Sequence, residues 1–217
     1  MWRHQVIIAS LSDDEADKVI IKGSLNIHQK AISKDINAQN FQVDSGPWNG
    51  FSLGLITQFF GRIKALKGDH ATLTRVHIRG HGGFRSQTVG GLDADTWARL
   101  LSDTGMPSAG VVSVTGCQAA RDLGTAGTAQ RLTPNYDSFA SRFHIALKGK
   151  GIKCDVMARA EYVGVMPDGS KKTTLSIEKG ETDWGAHRDG SKVKFKWVGE
   201  SQMREVVGAK YHGDPFS

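Results

Sequence analysis

The chain is expected to fold as an α/β protein with a mostly parallel sheet flanked by helices and antiparallel strands at its C-terminal end. Three features predict this. Short β-branched runs alternate with amphipathic stretches up to about residue 160, the order in which parallel strands are joined by helical crossovers. Residues 110–115 read Gly-Val-Val-Ser-Val-Thr, the near-continuous apolar pattern of a central parallel strand. After Tyr162 the pattern changes to apolar–polar alternation around a Pro167-Asp168-Gly169 turn signal.

The elements follow in order. His4-Gln5-Val6-Ile7-Ile8-Ala9-Ser10 is a first buried strand, and a polar stretch with helical character follows it. Phe41-Gln42-Val43-Asp44 alternates like a strand until Ser45-Gly46-Pro47 breaks it. Leu53, Ile56, Phe60 and Ile63 recur at three- and four-residue spacing, so residues 52–66 form an amphipathic helix ended by Gly68 and Asp69. Residues 72–79 are a strand. Asp93 is the N-cap of a helix carrying Trp97, Leu100 and Leu101. The strand at 110–115 comes next, then a Gly/Thr-rich loop at 121–134. Tyr136, Phe139, Phe143 and Leu147 mark a helix ended by Gly149 and Gly151, and residues 152–158 return to a strand. Residues 162–207, with alternating runs at 173–177 and 193–197, are expected to form an antiparallel flap beside the main sheet. The division is a core at 1–161 and a flap with tail at 162–217, both within one domain.

Composition sets the limits. At 217 residues and 39% hydrophobic content, the chain buries a core of its own. The longest apolar run near the start, residues 6–9, is too short for a membrane span or a secretory segment. Two cysteines, Cys117 and Cys154, make no disulfide framework and suit a reducing environment. The net charge of +6 is weighted to the C-terminal half, with lysines crowding 148–153 and 171–196. That pattern fits an anionic partner or a solvated charged face.

Two strands end unusually. One runs Arg75-Val76-His77-Ile78-Arg79 into Gly80-His81-Gly82-Gly83, the other Val111-Val112-Ser113-Val114-Thr115 into Gly116-Cys117-Gln118-Ala119. Functional groups gather beyond the carboxyl ends of strands in such sheets. Cys117 is a candidate nucleophile and His81 its acid–base partner, with the backbone amides of Gly82 and Cys117 as an oxyanion site. Glycine at 82 lets the backbone approach a substrate oxygen closely. Cys154, inside a strand, reads as a small buried hydrophobe. His77 and His81 are four apart, but that spacing unites metal ligands on a helix and here spans a strand end; no metal is expected.

The order of strand, Gly-His-Gly, helix, and strand ending in Gly-Cys resembles the caspase-like cysteine peptidases. Within them the chain resembles the autoprocessing cysteine protease domains of MARTX toxins and large clostridial toxins. The resemblance extends to His4-Gln5-Val6-Ile7-Ile8, Gly91-Leu92-Asp93-Ala94-Asp95, Met157-Ala158-Arg159, Pro167-Asp168-Gly169-Ser170-Lys171 and Lys192-Val193-Lys194-Phe195-Lys196-Trp197. Asp13 stands near an acidic position of that family. Departures at Gly83-Phe84, Gln118-Ala119 and Ser170-Lys171 bear on substrate preference and ligand contacts.

The resemblance implies a cysteine endopeptidase that cuts after leucine, with its own parent chain as a candidate substrate. It also implies allosteric activation by inositol hexakisphosphate and delivery of a bacterial protein to host cytosol. Arg75, Lys171, Lys172, Lys192, Lys194 and Lys196 are then candidate ligands of the polyphosphate; Arg79 and the lysines of 148–153 are further candidates. Residues 192, 194 and 196 share one face of a strand and are able to act together. The competing class is a catalytically idle module that binds inositol phosphate or nucleic acid. Phe195-Lys196-Trp197 suits nucleic acid only weakly, and such a partner is not expected.

Overall fold

A computed structural model describes residues 2–12, 17–44, 50–83, 85–123, 137–174 and 192–207. Asp13 and most of the expected 121–134 loop lie outside the described residues.

The first strand, β1 (His4–Leu11), is followed by α1 (Asp17–Ile32), β2 (Asn37–Asp44), α2 (Gly50–Ala65) and β3 (Thr74–Arg79). A short pair, β4 (Gly82–Gly83) and β5 (Thr88–Val89), leads to α3 (Ala94–Asp103) and β6 (Val111–Thr115). Then come α4 (Phe139–Gly149), β7 (Asp155–Arg159), β8 (Tyr162–Val165), β9 (Lys171–Thr174), β10 (Lys192–Val198) and β11 (Ser201–Val206). The sheet order is β11-β10-β7-β6-β3-β1-β2. From β2 to β7 all neighbours are parallel; β10 and β11 add antiparallel strands at the edge. The fold is therefore mixed α/β, as the sequence predicts.

Side-chain alternation sorts the sheet into two unlike faces. Val6, Ile8, Val76, Ile78, Val112, Val114, Val156, Ala158, Val193 and Phe195 point to one side, where they join Ile56 and Phe60 of α2, Trp97 and Leu101 of α3, and Phe139 and Phe143 of α4. Asp93 caps α3 by accepting from the Thr96 N–H at 2.8 Å. The opposite parity, with Gln5, Arg75, His77, Arg79, Ser113 and Thr115, is polar, and α1 lies over it through Ile20, Ile27 and Ala31.

The strands expected to form a single flap are divided. β8 and β9 make a separate hairpin, whereas β10 pairs with β7 and extends the main sheet. Burying Val193 and Phe195 completely requires the helix-covered face of the main sheet, which a free flap does not offer. The hairpin instead rests on α1. Asn26 Nδ2 donates to the Met166 carbonyl at 3.0 Å, and Gly169 (φ +70) packs where a Cβ would stand 2.5 Å from the Asn26 oxygen. Among the described residues no helix is long and apolar enough to cross a membrane.

Candidate active site

Parallel pairing sets Arg79 of β3 opposite Thr115 of β6, so Gly80-His81 and Gly116-Cys117 leave the sheet as adjacent exits of the same length. The backbones touch beyond it. A Cβ added at Gly82 would lie 2.8 Å from the Cys117 oxygen and 2.9 Å from its nitrogen, distances no side chain tolerates. Gly82 is therefore required by close approach, here to the backbone of Cys117, a reason different from the substrate contact expected from the sequence.

The turn at Cys117 is held firmly. Gln118 has φ +56, a left-handed conformation that costs a non-glycine residue of order 1 kcal/mol. The turn is fixed by Gln118 N–H donating to the Glu161 carbonyl at 3.0 Å and Ala120 N–H to the Arg159 carbonyl at 2.9 Å. Burial raises the pKa of the Cys117 thiol, and a hydrogen bond from the Val163 backbone in β8 partly opposes that. The thiol is thus protonated at neutral pH. Cys154 is buried in the core, and burial beside Asp155 pushes it up to about 12.

His81 is half-exposed, with Nε2 3.6 Å from Oδ1 of the buried Asp17. Asp17 stands in the first turn of α1, and its other oxygen accepts from the Ser12 N–H at 2.6 Å. The described residues thus place Asp17 beside the imidazole, whereas Asp13 lies outside them. A run of four acids within five residues, 13–17, gives no sign of which one faces His81; the first turn of a helix following the strand end is the only usable clue.

The second feature lies on the polar face of the sheet. A cleft of about 430 Å³ opens between α1, β3, β6, β7 and the hairpin, and its lining includes Lys30, Lys34, Arg75, Arg159, Lys171 and Lys192 but no carboxylate among the described residues. The Lys171 ammonium is enclosed, donating to Ser113 Oγ at 2.9 Å and to Thr115 Oγ1, with His77 Nδ1 3.2 Å away. Burial first, then Arg75, Arg79, Arg159 and Lys192, hold its pKa well below that of an ordinary lysine. Lys192 is lowered for the same kinds of reason, and burial takes Arg79 down to about 10. Arg75 Nε, His77 Nε2, and Arg79 Nε and Nη1 are buried without hydrogen-bond partners among the described residues, at a cost of about 1–3 kcal/mol per unsatisfied group.

The structure divides the expected polyphosphate ligands. Arg75, Lys171 and Lys192 line the cleft, but Lys194 pairs with Asp155 at 3.5 Å and Glu205 at 2.7 Å, and Lys196 also pairs with Glu205. Lys172 is exposed on the other face of the hairpin from Lys171. Lys30, Lys34 and Arg159 were not legible as cleft residues, although Arg159 shares parity with Met157 on β7. Trp197 stacks on His144 with centroids 4.7 Å apart, and the Lys148 ammonium sits 4.0 Å over the indole, an arrangement that occupies this aromatic within the fold. Among the described residues no group of three or more His, Cys, Asp or Glu is arranged to hold a metal ion.

No curated protein matches the chain. Residues 52–174, more than half of it, match the peptidase C80 family, and this span includes both strand exits with His81 and Cys117. The chain belongs to the peptidase C80 family, a family of cysteine peptidases that act on polypeptides.

Proposed function

We propose that Cys117 is the nucleophile and His81 the general acid–base of an endopeptidase that processes its own parent chain after leucine and is switched on by inositol hexakisphosphate. The observation that carries the catalytic part is the paired strand exits, with Gly82 against the Cys117 backbone and Asp17 beside His81. Sγ adds to the scissile carbonyl carbon, and the backbone N–H groups of Gly82 and Cys117 stabilise the oxyanion. The thiol proton passes to His81, which delivers it to the departing amine; His81 then takes a proton from the water that releases the acyl enzyme. Asp17, 3.6 Å from Nε2, orients the imidazole. The preference for leucine and the site of action in host cytosol rest on the toxin-domain resemblance.

The switch is supported by the hairpin, which reaches both places. Lys171 of β9 enters the cationic cleft, while Val163 of the paired β8 is hydrogen-bonded to Cys117. A polyphosphate in the cleft would neutralise like charges, fix Lys171 and so fix the strand that contacts the thiol. Arg75, Lys171 and Lys192 would hold it together with Lys30, Lys34 and Arg159.

The test is to incubate the purified protein with and without inositol hexakisphosphate and map the bonds cleaved. Cleavage after leucine should appear with the ligand and be slow without it, and the Tm should rise. Binding only the ordered state at a hundredfold excess over Kd adds about 2.7 kcal/mol, or about 5–10 °C for a chain of this size. Neutralising Lys30, Lys34 and Lys192 together should raise the activating concentration steeply and spare basal cleavage. Full activity without ligand, and a Tm indifferent to it, would sink the switch and leave the dyad standing.

A further inference from the structure

The end of β7 touches both the cationic cleft and the catalytic turn through one residue. Alternation turns the half-buried Arg159 to the polar face with Met157, where its side chain lines the cleft. Its Nη2 donates to the Lys171 carbonyl of β9 at 3.3 Å. The backbone carbonyl of the same residue accepts from the Ala120 N–H at 2.9 Å, just beyond Cys117. Two positions on, the Glu161 carbonyl accepts from the Gln118 N–H at 3.0 Å.

The topology produces this double role. β6 and β7 pair in parallel only as far as Ser113 and Met157. Beyond that level β6 runs on into Gly116-Cys117, and the chain folds back over the end of β7. The carbonyls there serve the turn instead of a neighbouring strand. On its other side Arg159 stands opposite Lys192 of β10, also a cleft residue. The guanidinium therefore lies among like charges, while its own peptide group is part of the scaffold of the turn.

A guanidinium carries five N–H donors in a fixed fork, so it is able to hold the Lys171 carbonyl and an anionic oxygen at once. The bond at 3.3 Å is long for N–H···O, whereas charge-assisted bonds to anions are shorter and roughly twice as strong. An anion bonded to this fork joins itself to β9 and to the end of β7 together.

We propose that Arg159 is a positioning residue that carries the state of the cleft to the Cys117 turn through β7. With a polyanion bound, the guanidinium bridges the ligand and the Lys171 carbonyl. The Arg159 carbonyl then sets the Ala120 amide, and with it the turn that presents the Cys117 N–H to the oxyanion. This connection is separate from the hairpin's contact with the thiol at Val163: the hairpin acts on the nucleophile, β7 on the oxyanion site. The inference rests on the polyanion reading of the cleft and deepens it by naming the residue that relays occupancy.

Arg159→Gln keeps the backbone carbonyl and a planar donor but loses the charge and the reach. The experiment measures kcat on a peptide with leucine before the cut, without and with saturating inositol hexakisphosphate, alongside Kd by calorimetry. The ratio of saturated to basal kcat should fall about tenfold in R159Q, in addition to any weakening of Kd. A residue that only holds ligand would raise Kd and leave that ratio as in wild type. One that only supports the fold would lower both rates by the same factor. Either result overturns the inference with the polyanion reading intact. Wild type that binds without activation overturns the switch and this inference together, and no binding to wild type overturns the polyanion reading as well. Should R159Q fail to fold, isotope-labelled wild-type protein gives a second reading by NMR. The Ala120 amide resonance should move as inositol hexakisphosphate is titrated in, with the calorimetric Kd; a resonance that stays still overturns the proposal.

Discussion

Cys117→Ala should abolish peptide-bond cleavage, with a loss of about 10⁴-fold or more, while the protein stays folded. The substitution deletes one atom, so no nucleophile remains to form the acyl enzyme, and the imidazole alone has nothing to activate in the first step. The fold should hold because the Cys117 backbone is fixed by Gly82, Glu161 and Arg159 rather than by the thiol. A truncation this small should move the Tm by only a few degrees. Cys154→Ala is the matched control. Cys154 is 8% exposed in the core, so loss of its sulfur should cost stability and leave turnover nearly unchanged. Cleavage by C117A at the wild-type rate, measured on a peptide ending in leucine before the cut, would remove Cys117 from the mechanism.

His81→Ala should lower kcat by about 10²–10⁴-fold, the usual contribution of a positioned general acid–base. Its side chain is 47% exposed, so the loss of activity should come with little loss of stability. Asp17→Asn leaves the imidazole in place but removes the neighbouring charge, and the 3.6 Å separation makes the contact a weak one; about tenfold in kcat is expected. Single-turnover rates of the three proteins with saturating ligand provide the check. A ranking in which D17N is more damaging than H81A would show that Asp17 acts on the fold of the α1 turn rather than through His81.

The parts of this protein that were legible in sequence are those where a local rule has one solution. The strands leading to His81 and Cys117 have apolar residues at alternate positions and a glycine at each exit; Gly80 packs against the Gly90 backbone, Gly116 against Val89, and Gly82 against the Cys117 backbone. Asp93 capped its helix as a cap should. Alternation correctly placed 192, 194 and 196 on one face, yet it carries no information about the next strand. Register alone sets Glu205 opposite Lys194 and withdraws two of the three lysines into ion pairs. For the same reason the sequence alone puts β10 in a flap: Val193 and Phe195 demand a core but do not say which. Lys30 of α1 and Lys34 of the turn after it reach the cleft from about forty residues before β3, a proximity created only by the crossover.

The one-signed cleft also carries an electrostatic cost for seating the hairpin. Seating the hairpin carries the Lys171 ammonium into a neighbourhood already holding Arg75, Arg79 and Arg159, against a repulsion that grows as ionic strength falls. Dissolved salt therefore acts with opposite signs on two events at one place. It eases docking of the empty hairpin by masking repulsion, and under the proposed polyanion reading it would hinder capture of the ligand by masking attraction. Under the proposed polyanion reading, a polyanion present during renaturation would be a mould around which the hairpin closes, whereas one added afterwards would be only a clamp on a shape already reached.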